Sequence, residues 1–434
     1  MSGDRKPGGP AGPELPEDAG TPAPAPEAMP AVDTRLIVRE EGLRGYVGEF
    51  KRKMRSGELG SLPVIVAVII IWTVFGSLDS TFLSAQNLSD LSQQIVGTGM
   101  IAVGIVFVLL LGEIDLSVGS VSGLCAAIFA VLNVNNGMNE WLALLVALGG
   151  GAAVGLIQGF FFAKVGVPAF VVTLAGNLFW NGLMLQVLGA TGTVNIPSES
   201  IVSKLYSTIF HSPATAYITA AVGVGLFLLA SLQDARRRQA ARVPFRPIAE
   251  IVLRTVVIAA IAFATAYILN QYQGLPLALL IFLILLVLLD FVLRRTRYGR
   301  QIFAVGGNIE GARRAGISVP FVRMSVFTIA GTMAAVGGIF LAGQIQSASQ
   351  TSGGGNLLMN VIAAAVIGGT SLFGGRGSVW SALLGALVIG SIQSGMNIMG
   401  VSNAVQFMIT GSVLLAAVVV DSLSRRSQKA AGRA

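Results

Sequence analysis

Residues 275–317 read LPLALLIFLILLVLLDFVLRRTRYGRQIFAVGGNIEGARRAGI: an apolar run, then a polar, basic, glycine-punctuated segment, before a second apolar run at 321–341. About 20 apolar residues cross the hydrocarbon of a bilayer, so each flanking run reads as a membrane helix. A connector between two such helices can be a handful of residues. The stretch 299–317 is long enough for one or two short helices. Gly299, Gly306, Gly307, Gly311 and Gly316 supply turns and close backbone approach. A surface of this kind at one membrane face is what a soluble partner would grip.

The composition agrees with a polytopic membrane protein. Apolar residues make up 53% of the 434 residues and charged ones only 12%, against about 25% charged in soluble domains. Cys125 is the lone cysteine and lies in an apolar run, which excludes a disulfide framework or a cysteine-based metal site. His211 is the lone histidine, beside Pro213, and reads as a solvated loop residue. No metal or cofactor is expected. The net charge of +8 is no sign of nucleic-acid binding, because its distribution follows the positive-inside rule.

Residues 1–32 are rich in Pro, Gly and Ala and lack any apolar run, so they cannot bury enough surface to fold. They also lack the apolar core of a signal peptide. Over 33–58 Leu36, Leu43, Val47, Phe50 and Met54 recur at helical spacing among charges, ending in Lys51, Arg52, Lys53 and Arg55. This predicts an amphipathic helix on the inner membrane surface, with an irregular charged linker as the alternative. A transmembrane domain at 59–424 follows, then a basic tail at 425–434.

Twelve apolar runs are candidate spans, near 62–78, 91–111, 116–132, 141–163, 168–188, 215–232, 251–269, 275–293, 321–342, 357–373, 378–399 and 403–421. The second and third are separated only by Gly112–Asp115, and the tenth and eleventh only by Gly374–Gly377. Short or glycine-interrupted spans of this kind are compatible with broken or re-entrant helices where protein covers the freed backbone. The expected fold is therefore all-α, with about twelve transmembrane helices. If the N-terminus is cytoplasmic, all of the 29 Lys and Arg except Lys204 fall on the inner side. Removing one span would reverse the later loops and destroy that segregation, so both termini are placed inside. A faint internal repeat pairs Leu111–Val121 with Gly369–Val379 through a shared Gly-Ser-Val, although small-residue coincidence is an alternative in a chain with 54 glycines. Gly149, Gly150, Gly151, Gly155, Gly337, Gly338, Gly385 and Gly390 read as sites of close helix approach.

Within the opening segment, Glu310-Gly311-Ala312-xxx-Gly316 resembles the E-A-A-xxx-G coupling loop of ABC-importer permeases, with glycine at the first alanine position. The preceding Gly-Arg-x-Ile-x-Ala-x-Gly-Gly-Asn at 299–308 is similar to the version in monosaccharide importers of the ribose/xylose group. Gly-x-Ile-Asp-Leu-Ser-Val-Gly-Ser at 112–120 and Pro-Ala-Phe-Val-Val-Thr-Leu-Ala-Gly-Asn at 168–177 resemble further strings of that family. The resemblance covers about 60–424. The arginine-rich insert at 233–250 and its two following spans favour the D-xylose branch, because ribose-type permeases of the group are shorter. What the resemblance implies is the permease subunit of a sugar importer in a bacterial cytoplasmic (inner) membrane. A separate ATP-binding subunit, an extracytoplasmic sugar-binding protein and a second permease copy would be its partners, with lipid around it.

That resemblance places a coupling loop at 294–320, with Arg300, Asn308, Glu310, Arg313, Arg314 and Gly316 as contact residues. Glu113 and Asp115 are the acids closest to the apolar interior, and buried charge is costly enough that it faces protein or water. Asp115 is placed to cap the next helix, and Ser117 or Ser120 to bond across helices. A packed, capped hairpin serving as a gate hinge and a direct substrate contact are both compatible with these residues. Thr173, Asn177, Trp180 and Asn181 put polar and aromatic groups inside a span. They suit either pore lining, with Trp180 stacked on a pyranose, or interhelical hydrogen bonds.

The chain has no G-xxxx-G-K-[S/T] string, so it cannot cradle ATP phosphates in that way by itself. It has no nucleophile–base constellation for an enzyme. The alternative is an ion-coupled secondary sugar transporter, in which Glu113 and Asp115 would couple ions.

Overall fold

The computed structural model describes residues 62–430 apart from Pro244 and Arg246, together with Gly3, and beyond Leu423 the backbone alone. The expected tail 1–32, the amphipathic helix 33–58 and the last four residues of the basic tail lie outside the described residues, Gly3 excepted.

Each of the twelve apolar runs carries a helix: α1 Leu62–Leu78, α2 Ala85–Leu110, α3 Val118–Ala130, α4 Glu140–Phe160, α5 Ala169–Leu188, then a short α6 Ile201–Ser207, α7 Pro213–Ala240, α8 Ile248–Asn270 and α9 Leu277–Arg295. The basic insert forms α10 Arg297–Gly307 and α11 Ile309–Arg314, followed by α12 Val319–Ile345, α13 Leu357–Ile367, α14 Trp380–Ile398 and α15 Asn403–Ala430. Helices dominate because hydrocarbon offers no partner to a backbone N–H or C=O. Among the described residues, 10 helical segments are long and apolar enough to cross a membrane.

The run at 357–373 is a half-span. The α13 helix has 11 residues, about 16 Å at 1.5 Å per residue, half the hydrocarbon thickness. Its end is set by Gly369, which takes a left-handed φ of +105°. The non-helical stretch 350–356 leads into it and lies on α3: a Cβ at Gly123 would strike the Ser352 carbonyl, and one at Gly353 the Gly119 carbonyl. Two short antiparallel ladders, β1 Thr193–Asn195 with β4 Ser347–Ser349 and β2 Ile209–Phe210 with β3 Leu275–Pro276, tie the connections at the end opposite the basic insert. The connection 189–214 between α5 and α7 is thus folded, through β1, α6 and β2.

The helices α2 and α12 form the centre, with 83% and 72% of their most apolar windows buried. The α12 helix packs on α2, α3 and α4 together, which needs residues without side chains at each contact. A Cβ at Gly331 would strike the Gly151 carbonyl, one at Gly155 the Phe327 carbonyl, and one at Gly338 the Ser122 carbonyl. Gly97 and Gly337 face each other between α2 and α12. The α7–α8 pair stands at the edge, with only 6% and 11% buried. The two Gly-Ser-Val strings enter their helices differently, in the first turn of α3 and immediately before α14.

Gly149 has nothing within 4 Å of an added Cβ, whereas Gly155 on the same helix meets α12 backbone. Gly155→Ala is expected to cost about 1–3 kcal/mol through overpacking. Gly149→Ala should gain about 0.5–1 kcal/mol from helix propensity. Unfolding of the purified variants in detergent checks both signs, and equal shifts would show that this contact does not control stability.

Candidate functional site: a glycine junction joining the basic insert to two helical hairpins

The basic insert folds as two short helices with a buried underside. Thr296 Oγ1 caps α10 by accepting the Gly299 N–H at 3.1 Å. Gly299, Ile302 and Val305 are buried while Arg300 is exposed. Asn308 Oδ1 accepts the Gly311 N–H at 2.8 Å and starts α11, as an N-cap side chain does. Glu310, Arg313 and Arg314 are exposed on α11 and Ala312 is buried. Gly316, at φ +78°, ends the helix. Asn308 and Gly316 therefore shape the segment and are also exposed, whereas Glu310 presents its carboxylate to solvent in a 3.0 Å pair with Arg313.

The underside is fixed to the bundle by backbone rather than by side chains. A Cβ at Gly306 would land on the Leu110 carbonyl oxygen. That oxygen belongs to the last turn of α2, where carbonyls lack an intrahelical donor, and it accepts the Gly375 N–H at 2.9 Å. Gly374 lies against Gly306 and Gly112, and Gly112 against Phe373. The α2–α3 hairpin, the α13–α14 hairpin and the end of α10 thus meet at one point. Tyr298 adds a side-chain tie, donating to Ser325 Oγ of α12 at 2.7 Å.

From this junction the chain climbs into the bundle. Gly112 sits beside Phe373, beyond the C-terminal end of α13, and seven residues later Gly119 meets Gly353 and Leu358 at its N-terminal end. The segment 113–117 therefore rises alongside the half-helix, and α3 starts at its height. The N-terminal ends of α3 and of the half-span α13 adjoin inside the bundle.

Asp115 is buried there. Its Oδ1 accepts the Ser117 N–H at 2.8 Å and the Ser117 hydroxyl at 2.6 Å. With its proton given to the carboxylate, Ser117 Oγ accepts from Gln158 Nε2 of α4 at 2.9 Å. An interhelical bond of this kind contributes about 0.6–2 kcal/mol in a membrane. Leaving a buried carboxylate without its donors costs more than that, so Ser117 acts chiefly by satisfying Asp115. Asp115 closes a turn on Ser117 and does not cap the interior N–H groups of α3 as the sequence suggested. Ser120 donates to the Ser117 carbonyl at 2.8 Å.

Glu113 is half-buried, 3.9 Å from the Arg323 guanidinium of α12, which also lies 4.3 Å over the Phe162 ring. Thr173 is buried against the Ile114 carbonyl at 3.5 Å, and the Trp180 ring is covered, edge-on to Phe179 at 4.8 Å. Gly176 between them leaves room for Gln158 and the Trp180 indole N–H, which has no hydrogen-bond partner. Asn177 and Asn181 are half-exposed at the margin of the buried face of α5. The site thus gathers Asp115, Ser117, Ser120 and Thr173, with Asn177 and Asn181 at its margin and the coupling residues exposed on the basic insert. Reading the sequence missed Gln158 and Arg323, each a polar group inside an apolar run, and the contact of Leu110 with Gly306 and Gly375, which carries no local signal.

The family described as branched-chain amino acid transport system / permease component matches residues 87–418. The xylose transport system permease protein XylH of Escherichia coli K12 is 37% identical over 396 residues, covering 91% of this chain and 98% of that protein. XylH of Haemophilus influenzae is 32% identical over 381 residues, covering 86% of this chain and 99% of its own. The ribose import permease protein RbsC of Bacillus subtilis is 29% identical over 373 residues, covering 86% and 96%. No solved structure matches. The junction, both hairpins and the basic insert all fall within the matched residues, and the chain belongs to this family of multi-pass transport-system permeases.

Proposed function

We propose that the chain is the membrane-spanning permease of an ATP-driven ABC importer for a monosaccharide, D-xylose, in a bacterial inner membrane. The observation that carries this reading is the insert 297–317: its outer face is charged and free, and its inner face is welded to both broken-helix hairpins. In this reading a separate ATPase grips Arg300, Glu310, Arg313 and Arg314 from the cytoplasm, and a second permease copy completes the path. A sugar-loaded binding protein docks on the opposite face, where 189–214 is folded against β4 and β3. Closure of the ATPase displaces α10 and α11, and the glycine junction carries the displacement to α2–α3 and α13–α14, a switch between two packings. The ion-coupled alternative finds no support: Asp115 is held by Ser117, and Glu113 lies beside Arg323.

Uptake of labelled xylose by proteoliposomes holding the purified complex should require internal ATP and survive collapse of ion gradients. Uptake abolished by an ionophore while ATP is present would sink the proposal.

Coupling separates into grip and transmission. Glu310→Lys should weaken ATPase binding about tenfold, since it reverses a rim charge. Gly306→Ala should leave binding intact and lower transport, because its Cβ meets the Leu110 carbonyl, while Gly307→Ala, with nothing within 4 Å, should be silent. Equal effects of the two glycine variants on transport would remove the junction from the mechanism.

Orientation follows the same logic. With Cys125 replaced, cysteine at exposed Ser198 should react with an impermeant thiol reagent from outside, and cysteine at exposed Arg314 only after permeabilisation. Both reacting from one side would overturn the placement of the basic insert in the cytoplasm.

A further inference from the structure

The α7–α8 hairpin takes no part in the junction and touches the bundle little, yet it concentrates positive charge at its turn. The α7 helix has 28 residues, about 42 Å in length, more than the ~30 Å hydrocarbon core requires. Its apolar part ends near 232, so Arg236, Arg237 and Arg238 fall about 6–9 Å further along the axis. That is the depth of lipid headgroups.

Neighbouring carboxylates are committed elsewhere. Asp234 lies 3.1 Å from Arg238 and 4.0 Å from Arg295. Glu250 holds Arg254 at 2.8 Å and Asp290 holds Arg294 at 2.8 Å. Arg236, Arg237 and Arg242 are exposed, and no carboxylate pairs with them among the described residues.

A further observation points to a membrane surface rather than to water. Apolar side chains interleave with the arginines on the same turn: Val243 is 48% exposed, Phe245 43% and Ile248 68%. Such groups are costly in water and suit the interface, where apolar rings and cationic heads sit together. Arg242 also takes a left-handed φ of +54° where the helix ends, a position that favours glycine. The chain places a cation there despite the backbone strain.

We propose that this turn is a docking surface for anionic phospholipid headgroups of the inner leaflet. Arg236, Arg237 and Arg242 contact the phosphates, and Val243 and Phe245 insert beside them. The hairpin is thereby pinned at a fixed depth while the central helices move. This assignment does not depend on which solute is carried.

The full-length permease in phosphatidylcholine nanodiscs containing photo-crosslinkable phosphatidylglycerol provides the test. Crosslinks should map to 236–248, and crosslinks confined to other segments would overturn the proposal. Titrated with phosphatidylglycerol in detergent and read by native mass spectrometry, Arg236→Gln/Arg237→Gln/Arg242→Gln should bind about a hundredfold more weakly, from the strength of one basic residue at an anionic surface. The corresponding Lys triple variant should retain binding. A Gln variant that keeps its preference for phosphatidylglycerol over phosphatidylcholine would show that the arginines serve orientation alone. If the Gln variant fails to insert, the crosslink map of the unaltered protein decides.

Discussion

One helix has to touch three others at backbone distance, and the architecture depends on it. Between helices in lipid there is no hydrophobic drive, so association rests on close van der Waals packing and a few hydrogen bonds. The α12 helix meets this demand with glycine on every side: Gly331 against α4, Gly337 against α2 and Gly338 against α3. Because carbonyl oxygens occupy the space where a Cβ would stand, these contacts leave little slack. A well-packed interface of this kind moves as a block or repacks to a second arrangement.

That rigidity is what allows helices to be broken inside the bundle. Non-helical backbone at membrane depth is tolerated only when protein covers it. The stretch 350–356 is covered by Gly119 and Gly123 of α3, and 113–117 by α4, α5 and α12 through Gln158, Thr173 and Arg323. Both irregular segments lead into helix N-terminal ends; 113–117 starts at the junction around Leu110, and the α13–α14 connection returns to it at Gly374 and Gly375. The hairpins therefore share one mechanical anchor, which the end of α10 also touches.

The sequence made the helices legible because apolar length is a one-dimensional property. All twelve runs carry a helix, and the basic insert stands out by composition. The half-span α13 was legible in part: Gly374–Gly377 marked an interruption, but the position of Gly369 as the stop depends on a left-handed φ that many glycines do not adopt. Asp115 was recognisable as special, while its turn on Ser117 was not, since capping and turn formation use the same residue type at offsets of one or two. Trp180 was open to two readings because an aromatic in a span has no marked face; the covering of its ring is a tertiary fact. The meeting of Leu110, Gly306 and Gly375 brings together three distant segments through backbone atoms, and nothing in side-chain identity encodes it.

On the proposed reading, the state of the buried polar cluster also says where selectivity can reside. Asp115 and Ser117 spend their capacity on each other and on Gln158, so they offer few groups to a sugar hydroxyl unless the hairpin opens. A path that must release its cargo gains nothing from tight binding. Among the described residues, the buried groups with spare capacity include the Trp180 indole N–H, the Asn360 side-chain oxygen and the Ser89 and Thr370 hydroxyls. Scattered single groups on different helices can guide a hydroxylated solute, but discrimination between similar sugars requires several fixed partners at once. Selection then falls to the partner that presents the sugar, and the permease contributes an aperture whose opening is set by a backbone lever at Gly306.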